Sequence, residues 1–80
     1  MNPDILATLK DIIYENEDID PAFVSESSSL ESDLMMDDMD LASLCNSIEE
    51  EWNIVLDEDI ADGWLTVADV VASVEKGLGL

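Results

Sequence analysis

Residues 33–40 of this chain read Asp-Leu-Met-Met-Asp-Asp-Met-Asp, and residues 41–52 continue as Leu-Ala-Ser-Leu-Cys-Asn-Ser-Ile-Glu-Glu-Glu-Trp. In the second part, apolar side chains recur at the three- and four-residue spacing of a helix with one apolar face: Leu41, Leu44, Cys45, Ile48 and Trp52. Aspartate is favoured at a helix start because its carboxylate accepts hydrogen bonds from free backbone N–H groups. The sequence therefore predicts a helix that begins at Asp37 or Asp38 and ends near Trp52.

A helix is also predicted at each end of the chain. The first has Asn2 as its N-cap and Pro3 near its first position, carries apolar residues at helical spacing from Ile5 to Ile13, and ends near Glu15. The last starts after Thr66 and carries a stripe of valines, with Asp69 in the place of the capping-box glutamate. Both helices need packing against a core, because short helices are marginal alone.

The segments between these helices lack a clear helical period. Residues 16–37 contain Pro21 and a serine-rich run at 25–29, and they predict a long loop. Residues 57–63 form an acidic connector with room for a short third helical turn. The chain of 80 residues is short enough that we expect one domain, residues 1–80, with an all-α fold. Trp52 and Trp64 are expected to anchor its core.

The charge of the chain is strongly one-sided. The chain has twenty-one acidic residues and only two basic ones, Lys10 and Lys76, which gives a formal net charge of -19. Even so, 48% of its residues are hydrophobic. This composition predicts a folded protein with a negative surface rather than a disordered tail. Such a surface repels nucleic-acid phosphates and anionic lipids, so neither is an expected partner. It attracts basic protein surfaces, and it favours a monomer at low salt.

Several classes of catalysis are disfavoured by the residue inventory. Histidine is absent and Cys45 is the only cysteine, which excludes the common His-based nucleophile systems and an internal disulfide. Cys45 lies on the apolar side of its helix and is predicted to be a buried, unreactive thiol. The chain start lacks the pattern of a signal peptide and no apolar run reaches ~20 residues, so a cytoplasmic protein is expected. We predict that the chain is not an enzyme.

An acidic chain of this kind suggests calcium binding, but its carboxylates do not follow the order of an EF-hand loop. The EF-hand order fails when Asp38 is the first ligand, since Ala42 then stands fifth and Ser43 stands where glycine belongs. It fails again when Gly63 is that glycine, since Ile60 then takes a ligand position. No metal site is predicted. A metal-buffering protein or a carboxylate-dependent enzyme is the third hypothesis, behind the two given below.

Three methionines gather around the start of the second helix: Met35, Met36 and Met39. Methionine is flexible and polarisable, so it fills core gaps and also suits adaptable binding surfaces. Both interpretations stay open from the residues alone: ordinary core filling, or a spot that binds a partner or an apolar chain.

With the helices placed, the chain resembles the acyl carrier proteins, which hold acyl chains on a phosphopantetheine arm. The family's second helix opens with Asp-Leu-Gly-x-Asp-Ser-Leu, which residues 33–39 meet, and closes in an acidic run before an aromatic residue, which residues 49–52 meet. Ile-Val-Leu at 54–56 and Thr-Val-Ala-Asp at 66–69 match two further family elements. The resemblance implies an acyl-carrier-like four-helix bundle with a long loop between helices one and two and a short third helix.

The departures from the family pattern fall at its functional position. Asp38 stands where the family has the serine that receives phosphopantetheine, so no cofactor is expected on this chain as written. Met35 replaces the family's glycine and Met39 its leucine. Serine and aspartate are both good N-caps, so the fold is expected to survive the change at position 38. Three polar residues make the exposed face of the helix less acidic than is usual: Ser43, Asn46 and Ser47.

The leading hypothesis is an acyl-carrier-like interaction module in fatty-acid, polyketide or related biosynthesis, without phosphopantetheine. Its expected partners are biosynthetic or carrier-recognising proteins with basic surfaces. The expected partner-binding residues are Met35, Met36, Asp37, Met39, Asp40, Ser43, Asn46 and Ser47. The alternative is a conventional acyl carrier protein whose attachment serine has been substituted, by engineering or in this one sequence.

Overall fold

A computed structural model describes residues 2–57 and 59–80; Met1 and Glu58, the latter within the predicted acidic connector, lie outside the described residues. The described residues contain three α-helices: α1 (Pro3–Glu17), α2 (Asp38–Trp52) and α3 (Val67–Gly77). They also contain two 3-10 turns in the connections, Pro21–Phe23 and Ile60–Gly63. The all-α prediction is confirmed, and the predicted short third helix is a single 3-10 turn rather than an α-helix. In the described part, the only β-pairing is an isolated bridge between Ser29 and Thr66.

The capping residues of α1 explain its length. Asn2 Oδ1 accepts hydrogen bonds from the N–H groups of Asp4 and Ile5 at 2.9 and 3.2 Å. The helix ends at Glu17, two residues beyond the predicted end, because Asp18 adopts a left-handed conformation with φ of 57° and donates its N–H to Tyr14 O. The last apolar residue of the helix is Ile13, so the apolar spacing predicted the buried part of α1 but could not show the polar last turn that follows it.

The start of α2 is a reciprocal capping box. Asp37 Oδ1 accepts from Asp40 N at 2.9 Å, and Asp40 Oδ2 accepts from Asp37 N at 3.0 Å. Asp37 is therefore the N-cap and Asp38 is the first helical residue. The helix forms with aspartate at position 38, as expected, but not because Asp38 is its N-cap: Asp37 performs that function. Asp38 instead adds a negative charge to the first turn, which favours the helix dipole by about 0.3–1 kcal/mol.

The segment between α1 and α2 is tied to the start of α3 by backbone hydrogen bonds. Leu30 N donates to Leu65 O at 3.0 Å, and Val67 N and Ala68 N donate to Ser28 O and Glu26 O at 3.1 and 2.9 Å. Met36 N also donates to Leu30 O at 2.9 Å. These bonds hold the residues before α2 against the bundle, which fixes the position of the segment that contains the methionines.

The core lies where one face of each helix meets the anchored connections. Its fully buried side chains come from all three helices and from the α1–α2 connection: Leu9, Ile13, Leu30, Leu44, Ile48, Val67, Val70, Val71 and Val74. Trp64 is buried as predicted, and its Nε1–H donates to Ser73 Oγ at 2.9 Å. Trp52 is only half-buried and packs against the edge of the core, because it belongs to the last turn of α2. Among the described residues, no helix has the length and apolar character needed to span a bilayer.

Candidate functional site

The start of α2 presents two methionines to solvent and buries the third. Met35 and Met39 are 80% and 79% exposed, whereas Met36 is 3% exposed. Met36 was predicted to contact a partner. Its side chain packs in the core, because its backbone N–H donates to Leu30 O and the chain turns through a left-handed conformation at Met35 just before it. Asp38 and Asp37 are exposed, and Asp40 is half-buried. The exposed surface at this helix end therefore combines two large apolar side chains with carboxylates.

Met35 has a backbone conformation that glycine adopts far more easily. Its φ is 57°, in the left-handed region where a Cβ is unfavourable by roughly 1–2 kcal/mol. Glycine takes this turn without that cost, because it has no Cβ. The methionine thus adds strain to the backbone and places an exposed apolar side chain beside Asp38.

We expect Met35→Gly to raise the free energy of unfolding by about 0.5–1 kcal/mol. The gain from relieving the left-handed methionine exceeds the loss from the greater freedom of glycine in the unfolded chain. The matched control is Met39→Gly, at an equally exposed position inside the first turn of α2, where glycine is expected to lower stability by up to ~1 kcal/mol. Urea denaturation of both variants measures the effect, and equal signs for the two changes would contradict it.

Two clefts meet at Asp38. The first, of about 330 Å³, lies between α2 and the connection to α3, and the second, of about 380 Å³, lies between α2 and the preceding connection. The residues lining the first are Asp38, Leu41, Ala42, Cys45, Asn46, Glu49, Leu56, Asp57, Ala61 and Asp62. The residues lining the second are Leu30, Glu31, Met35, Met36, Asp37, Asp38, Leu41 and Trp64. Asp38 and Leu41 belong to both clefts, so position 38 stands at their common edge.

Cys45 lies in the first cleft and is half-buried rather than buried. Burial raises the pKa of the thiol, and the nearby Glu49 raises it further. Both effects disfavour the reactive thiolate, in agreement with the predicted low reactivity.

The connector also contributes residues that the sequence did not indicate. Leu56, Asp57, Ala61 and Asp62 line the first cleft, although their segment has no helical period of its own. One local contact fixes this segment: Glu49 Oε2 accepts a hydrogen bond from Leu56 N at 3.0 Å. No sequence signal pairs residues 49 and 56, because the contact depends on how the chain turns after Asn53.

The polar residues expected on the outer face of α2 separate into two environments. Ser43 and Asn46 are exposed, and Asn46 also lines the first cleft. Ser47 is half-buried, and its Oγ accepts a hydrogen bond from Asn16 Nδ2 at 3.0 Å. The Ser47 hydroxyl therefore links α2 to α1.

Three carboxylates approach one another where the end of α1 meets the start of α2. Burial raises the pKa of Glu17 above its ordinary value, and the nearby Asp40 and Asp37 raise it further. Asp40 is also a member of the capping box, so charge repulsion acts directly on the helix start. Among residues 2–57 and 59–80, no group of three or more Cys, Asp or Glu side chains has the geometry to hold a metal ion.

The raised pKa of Glu17 predicts a pH-dependent effect on stability. A group whose pKa is raised on folding contributes stability that is fully present below its unfolded pKa and is lost as the pH rises through its folded pKa. At pH 7 the ionised Glu17 is therefore unfavourable, and Glu17→Gln is expected to stabilise the protein by about 0.5 kcal/mol. The gain should shrink as the pH falls through the raised pKa of Glu17 and should vanish below the pKa of an ordinary glutamate.

The measurement is thermal or urea unfolding of the Glu17→Gln variant and the parent protein at pH 7 and at pH 4. Glu15→Gln serves as the control, because it makes the same change at an exposed position of the same helix. A stabilisation of equal size from both variants would show that the gain reflects net charge and not the carboxylates at the start of α2.

Comparison with known proteins gives the chain a family. No protein-family model matches it. An acyl carrier protein of Phenylobacterium zucineum is 36% identical over 76 residues, which cover 95% of this chain and 96% of that protein. Acyl carrier proteins of Sinorhizobium fredii and Rhizobium meliloti are each 37% identical over 73 residues, which cover 91% of this chain and 94% of theirs. Proteins of this name are carriers, which confirms the prediction that the chain is not an enzyme. At this identity over nearly its whole length, the chain belongs to the acyl carrier protein family.

Proposed function

We propose that this protein is an acyl-carrier-like interaction module in fatty-acid, polyketide or related biosynthesis, and that it works without a covalent phosphopantetheine arm. The observation that carries the proposal is Asp38, an aspartate at the position where the family pattern has the attachment serine. The family membership supports the biosynthetic context. The aspartate supports action through noncovalent contacts.

The residues around position 38 do not fit covalent attachment of the arm. A phosphodiester to phosphopantetheine needs a side-chain hydroxyl, and the carboxylate of Asp38 has none. The position itself is well placed for transfer, since it is exposed and is the first residue of α2. Ser43 lies further along α2, and the serines at 25–29 lie in the connection before it, so neither stands at the helix start. The chemistry of residue 38, rather than its accessibility, is what excludes attachment.

The surface around Asp38 supports a protein partner with a basic face. The exposed side chains of Met35 and Met39 supply adaptable apolar contacts, and Asp37, Asp38 and Asp40 supply negative charge beside them. A partner that offers an apolar recess ringed by lysine or arginine would match both features. Its association is expected to be fast at low salt and slower as salt screens the charges. Ser43 and Asn46 extend this surface along α2 with neutral polar contacts.

Incubation with a phosphopantetheinyl transferase and coenzyme A tests the proposal. We expect the intact mass of the protein to stay unchanged, because Asp38 offers no hydroxyl to the transferred group. A conventional acyl carrier protein in the same reaction serves as the positive control for the transferase. A mass gain of one phosphopantetheine arm on this chain would overturn the proposal.

A second candidate function is that of a conventional carrier whose attachment serine has been substituted. The first cleft favours this candidate, because an apolar-floored cavity still lies beside position 38. Asp38→Ser separates the two candidates: efficient loading favours a carrier that lost its serine, and continued failure favours a specialised module. Asp62→Ser is the matched control, since it adds a serine at another exposed position that lines the same cleft.

A further inference from the structure

We propose that Met35 and Met39 are a reversible oxidation site, at which peroxide converts both thioethers to sulfoxides and so weakens the apolar contacts that the start of α2 offers to a partner. We call these two residues the methionine pair. The effect on a partner rests on the proposed function, because it requires that this surface act through noncovalent contacts. The oxidation itself depends only on the exposure of the two side chains.

The methionine pair is far more accessible than the third methionine of the same segment. Met35 and Met39 are 80% and 79% exposed, whereas Met36 is 3% exposed and lies in the core. Oxidation of a thioether requires contact between its sulfur and the oxidant, so a buried sulfur is protected while the fold is intact. Met36 is therefore an internal reference with the same side-chain chemistry, one position from Met35. The structure predicts selective oxidation within a segment of five residues.

The fold does not depend on the side chains of the methionine pair. Neither Met35 nor Met39 is among the residues that form the core or pack against it. Met35 also has a left-handed backbone, with φ of 57°, which is unfavourable for a residue with a Cβ. Backbone strain of this kind clusters at sites that act on ligands or partners. A sulfoxide at either position removes no core contact, so the bundle stays folded while its surface changes.

The oxidation is balanced with hydrogen peroxide as the oxidant. A lone pair on the thioether sulfur attacks one peroxide oxygen, an S–O bond forms, the O–O bond breaks, and the second oxygen leaves as water after proton transfer. The sulfur loses two electrons and the peroxide gains them. The flexible apolar side chain thereby becomes polar and chiral. A methionine sulfoxide reductase reverses the step with a dithiol, which is oxidised to a disulfide while the sulfoxide oxygen leaves as water.

Cys45 is a weaker competitor for the oxidant than an exposed cysteine. Its thiol is half-buried, and its pKa is raised by burial and by the nearby Glu49. The thiolate is the form that reacts, so a raised pKa lowers the reactive fraction. Both effects leave the methionine pair as the accessible sulfur groups at the start of α2.

The first test measures the rate of oxidation at each residue. The protein is treated with excess hydrogen peroxide, and timed samples are fragmented intact in a mass spectrometer, which assigns each added oxygen and separates Met1 and Cys45 from the other sites. We expect Met35 and Met39 to react at least about tenfold faster than Met36 in the folded protein, and all three to react alike in denaturing urea. A smaller ratio in the folded protein, or a ratio that persists in urea, would overturn the inference.

The second test measures the effect on binding. The probe is an 18-residue amphipathic helical peptide of leucine and lysine, which combines the apolar and basic groups expected of a partner. In salt that screens the net charge, we expect oxidation of the methionine pair to raise its dissociation constant about three- to tenfold, and reductase treatment to restore it. The thermal unfolding midpoint should stay unchanged. Unchanged affinity, a loss that the reductase does not reverse, or no binding to the unoxidised protein would overturn the effect on a partner.

Two variants assign the effect to the methionine pair. The double variant Met35→Leu, Met39→Leu keeps the surface apolar but removes both sulfur atoms, so peroxide is expected to leave its peptide binding unchanged. The matched control Met36→Leu makes the same substitution in the core, where a swap of similar volume is well tolerated. This control should lose affinity on oxidation as the parent protein does. Equal responses of the two variants to peroxide would place the effect at another residue and refute the site.

The mass test of phosphopantetheine loading is a separate measurement. A chain that accepts the arm, yet is oxidised selectively at Met35 and Met39 with weaker peptide binding, would refute the proposed function and keep the oxidation site. An unloaded chain whose three methionines react at equal rates would refute the oxidation site and keep the proposed function.

Discussion

Leu44→Ala is expected to lower the free energy of unfolding by about 3–5 kcal/mol. Leu44 is 0% exposed at the centre of the apolar face of α2, and removing its terminal carbons both loses buried apolar contact and leaves a cavity. An 80-residue domain of ordinary stability has roughly 4–12 kcal/mol in total. The substitution is therefore expected to remove a large part of the stability of the fold. Urea denaturation followed by far-UV circular dichroism measures the loss.

The matched control is Leu65→Ala, which deletes the same atoms from a largely exposed leucine. The backbone N–H of Leu65 donates to Asp69 Oδ2, and this bond does not depend on the leucine side chain. We expect the control to change stability by less than about 0.5 kcal/mol. A comparable loss from both variants would contradict the assignment of Leu44 to the core and of Leu65 to the surface.

Trp64→Ala is expected to cost about 3–5 kcal/mol, the second of the two largest effects. Trp64 is the buried residue that follows the 3-10 turn Ile60–Gly63, and it lines the second cleft beside Met36. Its removal takes away a large apolar surface and leaves Ser73 Oγ without the indole N–H at 2.9 Å. The loss should appear as a lower midpoint of urea unfolding, followed by circular dichroism because the fluorescent ring is changed.

Two smaller changes divide this effect into its parts. Trp64→Phe keeps an aromatic ring but removes the N–H donor, and we expect a loss of about 1–2 kcal/mol. Ser73→Ala removes the acceptor while the ring stays, with an expected loss of about 0.5–1.5 kcal/mol. If the phenylalanine variant were as unstable as the alanine variant, the hydrogen bond rather than the buried area would dominate.

For α2, the sequence predicted the position of the helix but not the residue that caps it. Its apolar spacing and its aspartates placed the helix to within one residue, because a 3.6-residue period and N-capping are local properties. The sequence left open whether the helix begins at Asp37 or Asp38, and the comparison of aspartate with serine treated residue 38 as the N-cap, which is in fact Asp37. The capping box with Asp40 decided the question, and that pair depends on side-chain geometry that two adjacent aspartates do not reveal.

The methionines show where local pattern fails. Met35, Met36 and Met39 are the same residue type within one short segment, but Met36 is buried while the other two are exposed. The difference arises from the hydrogen bond of Met36 N to Leu30 O and from the left-handed turn at Met35. Both depend on the hydrogen bonds that anchor residues 26–30 of the connection to residues 65–68, which lie more than thirty positions further along the chain.

The amino-acid sequence by itself determined the helical class of this protein, its negative charge, its family resemblance and the presence of an aspartate at position 38. These follow from residue identity and from interactions between near neighbours along the chain. Only the tertiary structure decided that Met36 is buried while Met35 and Met39 are exposed, that Ser47 is held by Asn16, and that the connection after α2 forms a cleft lined by carboxylates beside Asp38. Those features require segments distant in sequence to pack together, and the burial of apolar side chains in a shared core is the force that brings them into contact.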